Sequence, residues 1–380
     1  MFYFGYWGVI GVFSPFINVY FTHLGLSGLQ IGIFSALGPL MTLLVGPPLS
    51  VLADEHHWHK QILAVALGGM AVTIFLFGFP QTFLLLLPLV VLHTIFRSPT
   101  NPISNSLIAR MAVRHHIDYG KLRVWGSLSF AIFSIACGAL WDRVGFRVMF
   151  VASGLLYVPV MLSALTLEEG TPVQKYERRP LRHLGRDSGL VALLVATCLV
   201  GIAEGVYMTF SGVYMDHLGG AQVLVGGLFG LSAFAELPTM QFSGAISRKL
   251  GKPLTLIIAY GFMGLAFFGY GLVGIPSVML LFGVAKGIGY GLYFAGTVSL
   301  IDERAPEVWS ATVQSLMTAT AWGLAPLLTV PLGGWIADVL GLPAVFICAG
   351  VAEALALVIL AGALIGGKFD ETPLIEASDA

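Results

Sequence analysis

Six ionisable side chains sit within long apolar runs of the sequence: Arg97, Arg123, Glu204, Glu236, Lys286 and Glu353. Near the centre of a bilayer such a group costs at least about 2.5–3.5 kcal/mol, so it faces a water-filled cavity or an internal partner. Their types define the chemistry on offer. A carboxyl beside an ammonium forms a pair that a proton or a charged ligand can open. A carboxyl with no base in its own run, Glu236, can take up and release a proton. An arginine can grip a carboxylate through two parallel hydrogen bonds. Covalent catalysis has no support: no Ser/His/Asp arrangement and no Gly-x-x-x-x-Gly-Lys-Ser/Thr phosphate loop is present. No enzyme activity, no cofactor and no ATP drive are therefore expected. His56, His57 and His59 crowd one polar loop, which accounts for them without a metal ion.

Composition sets the elements that must hold these groups. Of 380 residues, 57% are hydrophobic and only 10% are charged, against about 25% charged in an ordinary soluble domain. The mean hydropathy is +0.88. So few charges cannot build a water-facing surface, and most of the chain must face lipid. The net charge of −1 leaves no footprint for nucleic acid. Cys137, Cys198 and Cys348 lie in apolar runs, without metal-ligand or disulfide spacing.

About 20 apolar residues cross a bilayer as a helix. Twelve such runs are legible, near 2–22, 28–52, 61–80, 82–108, 120–141, 146–167, 188–214, 222–246, 253–273, 276–300, 309–335 and 341–366. The first lacks the basic segment and cleavage site of a signal peptide. The alternating strands of a barrel are not seen. The expected fold is an all-α membrane protein of twelve transmembrane helices. With both termini inside, the inner segments hold fifteen of the nineteen Lys and Arg residues: Lys60, Arg110, Arg114, Lys121, Arg123, Lys175, Arg178, Arg179, Arg182, Arg186, Arg248, Lys249, Lys252, Arg304 and Lys368. The outer segments hold Arg143 and Arg147, and this imbalance sets the orientation. The longest polar stretch falls between spans six and seven. The expected division is a six-helix bundle over 1–167, a cytoplasmic linker over 168–187, a second bundle over 188–366 and a cytoplasmic tail over 367–380.

One pattern recurs four times. Its fullest copy runs Gly138-Ala-Leu-Trp-Asp142-Arg143-Val-Gly145-Phe-Arg147. The others are Ser50-Val-Leu-Ala-Asp54, Gly244-Ala-Ile-Ser-Arg248-Lys249-Leu-Gly251-Lys252 and Gly334-Trp-Ile-Ala-Asp338-Val-Leu-Gly341. Each copy follows the second helix of a three-helix group, so the chain reads as four such units paired into two halves of inverted repeats. Small residues allow close helix approach. A charge just past the helix end can lock one half against the other, which makes Asp54, Asp142, Arg143, Arg248 and Asp338 candidates for a conformational switch. The plainer reading is loop punctuation and topology-setting charge.

The repeat resembles the signature loop of the major facilitator superfamily, Gly-x-x-x-Asp-Arg-x-Gly-Arg. Asp118-Tyr119-Gly120-Lys121-Leu122-Arg123-Val124-Trp125-Gly126-Ser127 at the start of span five is similar to the matching stretch of the phenylpropionate permease and lactose permease branch. Ser98-Pro99 with Pro102, Phe210-Ser211 with Tyr214, and Ala235-Glu236 add to the resemblance. It implies an inner-membrane, monomeric proton symporter for a small organic solute, working by alternating access. The resemblance places Arg123 at a sugar-holding arginine, Asn105 where relatives carry an acid, Glu236 at a shared glutamate, and Lys286 near a span-ten histidine. The span-ten glutamate tied to proton release has no counterpart.

In this frame spans seven and ten meet, so Glu204 and Lys286 are expected to pair, as a proton- or substrate-sensitive switch or as a self-neutralising structural pair. With Glu236 they are the candidates for proton coupling. Arg97, beside Pro99 and Pro102 in span four, either binds a substrate carboxylate or lies near the outer end and snorkels. Substrate contacts are expected from Arg123, Asn105, Arg97, Asn101, Tyr207, Tyr290 and Trp322. Gly283, Gly287 and Gly291 mark a close-packing face expected against span seven or eleven. Glu353 has no role in this scheme.

Overall fold

The computed structural model describes residues 1–117, 119–168, 187–305 and 307–369, and every regular element among them is helical. Twelve helices are long and apolar enough to cross a membrane: Phe2–His23, Gly28–His56, His59–Leu76, Phe83–Arg114, Leu122–Val144, Phe146–Leu165, Ser188–His217, Gln222–Leu250, Lys252–Leu272, Pro276–Arg304, Thr312–Leu340 and Leu342–Ile365. We number them spans one to twelve. The main differences from the sequence reading are at the ends, where polar residues continue a helix past the apolar core, as from 52 to His56 and from 108 to Arg114. Of the expected linker and tail, residues 169–186 and 370–380 lie outside the described residues, as does Asp118.

The repeat ends helices in a common way. Gly145, Gly251 and Gly341 take φ of 76°, 85° and 87°, a left-handed turn that suits glycine. The first copy has no glycine there, and His57 takes the same hand with φ 56°. Four spans are interrupted midway. Span one breaks at Ser14-Pro15-Phe16, between Phe2–Phe13 and Ile17–His23. Span two breaks at Val45 before Gly46-Pro47-Pro48. Span four breaks at Ser98-Pro99, where the proline ring and missing N–H stop the helix. Span eleven carries a π-helical turn over Thr320–Leu324 ahead of Pro326.

Packing repeats between the first six spans and the last six. Span one lies against five and six, and three against six; span seven lies against eleven and twelve, and nine against twelve. The two groups meet chiefly through two pairs, span two with eleven and span five with eight. Both pairs are built on glycine. A methyl at Gly226 would collide with the Ser134 carbonyl, and one at Gly334 with the Gly28 carbonyl. The Gly283, Gly287 and Gly291 stripe packs against span eight, at Leu228, Ser232 and Glu236–Thr239, and not against span seven or eleven. The reason is that span eight presents bare backbone carbonyls to it.

The end of the molecule away from residues 168 and 187 is fastened by polar contacts. Asp142 accepts from the backbone N–H of Gln222 (2.6 Å) and Val223 (3.0 Å), at the start of span eight. Asp338 accepts from the N–H of Gly28 (2.6 Å) and Leu29 (2.9 Å), at the start of span two. These repeat aspartates cap the first turns of helices in the opposite group, where free N–H donors and the positive dipole end favour a carboxylate. His23 Nε2 meets Asp216 at 2.8 Å, and Asp216 also accepts from the Gln222 side chain at 2.7 Å. The expected lock between side-chain charges is thus a carboxylate-to-backbone lock. Arg143 and Arg248 project from the surface. At the opposite end, Asp54 is held inside its own group by His59 (2.9 Å) and Arg110 (3.4 Å).

Replacing Gly226 by alanine should therefore lengthen spin-label distances between spans five and eight, and replacing Gly334 by alanine those between spans two and eleven, at the fastened end. Each capping contact is worth about 1 kcal/mol, so Asp142→Ala with Asp338→Ala should add to that opening. Unchanged distances in all variants would contradict the packing.

Candidate functional site

Arg97 lies midway along span four, at the break between Phe83–Arg97 and Thr100–Arg114. The break follows from Pro99, and Arg97 ends the 15-residue first part of a 32-residue span. Its side chain is exposed, beside Gly38 of span two. No carboxylate of the described residues lies within 4 Å of it. An exposed, unpaired charge at this depth belongs in a water-filled cavity. Asn101 and Asn105 stand one and two helical turns further on the same face. Tyr6 of span one reaches Asn101 Oδ1 at 3.0 Å and Thr100 Oγ1 at 2.9 Å, and Tyr3 donates to Asn105 Oδ1 at 2.6 Å. Span one thus props up a polar stripe on span four.

Arg123, the fifth residue of the helix Tyr119–Val144, stacks over the Phe294 ring of span ten, 5.0 Å from its centroid. This joins the first group to the second. Glu236 on span eight, which has no base on its own helix within reach, lies in the fields of Lys286 and Arg123, and in that of Glu204. The sequence places no base in the apolar run of Glu236; the positive charges that act on it belong to spans five and ten, which sequence proximity could not indicate.

Behind Glu236, Lys286 and Glu204 pair as expected, Nζ to Oε2 at 2.9 Å, with both side chains almost wholly buried. The ammonium also lies over two rings, 4.5 Å from the centroid of Tyr207 and 4.4 Å from that of Tyr290. Cation–π contacts shielded from water are worth about 2 kcal/mol, so the lysine is held on three sides. The other oxygen of Glu204, Oε1, has no hydrogen-bond partner. Tyr290 leads outward to Trp322, edge to face at 6.3 Å. Trp322 sits on the π-helical turn of span eleven and is 40% exposed. Tyr207 is closed off, only 1% exposed, packed against Phe229 and Tyr270 with its hydroxyl on the Leu228 carbonyl. It supports Lys286, and a direct contact with a solute in this state is ruled out by its burial.

The geometry assembles one polar region between the two groups of spans, with arginines and asparagines on one wall and a lysine–glutamate cluster and aromatic rings on the other. The sequence profile described as the MFS_1 like family matches residues 1–348. The chain belongs to this family. It is a transporter of the major facilitator superfamily and not an enzyme, a multi-pass protein of the inner membrane whose partners are a small-molecule substrate and the lipid bilayer. It is 26% identical to the maltose permease of Geobacillus stearothermophilus over 364 residues, covering 95% of this chain and 92% of that one. It is 27% identical to the "Probable 3-phenylpropionic acid transporter" of Escherichia coli (strain K12) over 267 residues, covering 68% and 69%. The solved structure of the nucleoside transporter NupG superposes with a TM-score of 0.79 at 16% identity, over 95% of this chain and 96% of that one. That likeness shows the fold.

Two parts of this MFS_1-like site were not legible in advance: the Phe294 seat of Arg123, and the π-helical turn that presents Trp322. A run of Thr-Ala-Trp-Gly-Leu before a proline is too ordinary to mark such a turn, though π turns gather at functional sites. The Glu204–Lys286 pair gives a stability test. Glu204→Gln or Lys286→Met alone should lower unfolding stability in detergent by about 3–5 kcal/mol, because each leaves a buried charge unanswered. The double variant should recover most of the loss. Equal losses in singles and double would contradict a self-contained pair.

Proposed function

We propose that this transporter is a proton-coupled symporter of a small organic solute, working by alternating access. The observation that carries the reading is the bridge that Arg123 makes to Phe294 of the other group, with Glu236 in the fields of both Arg123 and Lys286 of the buried Glu204–Lys286 pair. A proton on Glu236 changes the charge seen by Arg123 on one side and Lys286 on the other. Occupancy by a proton and closure of the two halves therefore bear on the same groups. We take residues 1–167 and 188–366 as the two moving halves. The Lys and Arg distribution supports placing the linker end, with both termini, in the cytoplasm. The state described above is then closed to the outside by Asp142 and Asp338 and open inward. Asp54, held within its own half in this state, is free to serve the opposite end in the other state.

The solute-binding role falls to Arg97, Asn101, Asn105 and Arg123 for polar groups and to Tyr290 and Trp322 for a ring. Such a wall suits an anionic or hydroxyl-rich solute: an aromatic acid, a sugar or a nucleoside. The names of the maltose, 3-phenylpropionic acid and nucleoside transporters among its relatives fall in that range. Export is the second reading, supported by 26% identity over 304 residues to the sugar efflux transporter C of Escherichia coli (strain K12).

The test is uptake by proteoliposomes, with solutes chosen by thermal-shift binding, since a ligand of the native state raises its stability. An inward acid gradient should drive accumulation in the wild-type protein. Glu236→Gln should lose that accumulation and keep solute exchange. Arg97→Gln should weaken acidic solutes by about tenfold or more, the loss of a charge-assisted pair, and leave neutral ones nearly unchanged. Gradient-driven efflux with no uptake would favour the export reading, and indifference to the gradient would contradict coupling.

A further inference from the structure

Span twelve carries one charged side chain, Glu353, and it has no exposure at all. No role for this residue follows from the sequence alone. The structure turns it inward, against Gly264 of span nine: a methyl at Gly264 would stand 3.7 Å from Glu353 Cβ. Both carboxyl oxygens lack a hydrogen-bond partner, and so does the Tyr260 hydroxyl on the same face of span nine.

From this carboxyl a line of rings leads to the buried pair. Tyr260 and Tyr293 lie 5.9 Å apart, Tyr293 and Tyr290 another 5.9 Å, and Tyr290 is one of the two rings beneath Lys286. Glu353 acts on Tyr260 and Tyr293, and is acted on by Glu204 and Lys286. The groups facing it can be named for each packed element. Span seven brings Glu204, span nine Tyr260, and span ten Lys286 and Tyr293. The stretch 312–337 of span eleven contains no Asp, Glu, Lys, Arg or His. Apart from Glu236, which lies also in the field of Arg123, the cluster holds two carboxyl groups and one ammonium. An ionised carboxyl with no answering charge costs several kcal/mol in such surroundings, so neutrality asks for one proton.

We propose that Glu353 is a second proton-binding carboxyl of this transporter, sharing with Glu204 the single positive charge of Lys286, so that the cluster keeps one exchangeable proton. The proton resides on Glu353 while Glu204 is paired with Lys286. When that pair opens, the proton passes to Glu204 and Lys286 balances Glu353, the cluster staying neutral throughout. Exchange with the cavity runs through Glu204, which lies next to Glu236. The inference rests on the proton-coupled reading above and adds a site that it does not use.

Infrared spectroscopy of the carboxyl stretch, on purified full-length protein, tests the site separately from transport. The wild type should show a protonated-carboxyl band at neutral pH that Glu353→Gln removes and Glu236→Gln leaves in place. With a gradient of one pH unit, each coupled proton multiplies the limiting accumulation by about ten. Glu353→Gln should therefore lower gradient-driven accumulation about tenfold and spare exchange. A band untouched by Glu353→Gln, or accumulation equal to wild type, would overturn the proposal. Should Glu353→Gln fail to fold, Tyr260→Phe removes only the neighbouring hydroxyl and should shift the band; an unshifted band counts against the site. A band that vanishes in Glu353→Gln, in a wild type that ignores the gradient, would refute coupling while supporting the proton-binding carboxyl.

Discussion

Inside a bilayer no water answers a charge, so each ionic or polar group must find its partner within the chain or in a cavity that the chain encloses. Most features of this transporter follow from that constraint. Lys286 draws Glu204 and two tyrosine rings around itself. Asn101 and Asn105 draw Tyr6 and Tyr3. Arg97, with no carboxylate near it, fixes where water must reach. The outward faces of the spans are left largely to Leu, Val and Phe.

The two groups of spans meet chiefly through two helix pairs. Glycine lets the helices of spans two and eleven, and of five and eight, approach to backbone contact. Such contacts have little side-chain packing to hold them, so the fastening falls to Asp142 and Asp338, each taking two backbone N–H groups at the mouth of a helix in the other half. A lock of this kind sits at the membrane surface, where water can replace it at modest cost. The buried pair cannot be exchanged so cheaply. Under the proposed function the two devices serve different tasks: the surface contacts give reversible closure, and the buried cluster registers charge.

Much of this was legible in the residues. The twelve apolar runs, the four-fold repeat and the Glu204–Lys286 pair needed only hydropathy, spacing and the arrangement of a related fold. What stayed hidden depends on rotation about helix axes and on partners distant in sequence. The direction of Glu353 could not be read because span twelve is apolar all round. The face of the span-ten glycines was assigned to the wrong neighbour, since a small-residue stripe says that a helix is near but not which one. Tyr207 was expected at the solute and lies behind Lys286, because an aromatic residue in a span reads alike as wall or filler. The repeat aspartates were legible as locks; that they grip backbone, not an opposing side chain, emerged only from the helix starts they face.

The central claim is that proton and solute act on one cluster that both halves share. Its most direct measurement is the proton balance of binding itself. Purified protein in weakly buffered detergent is given a solute that binds it, and the pH is followed with an indicator. The account predicts that saturating solute changes the number of bound protons in the wild type and leaves it unchanged in Glu236→Gln. A solute that binds tightly with no proton taken up or released at any pH would contradict it.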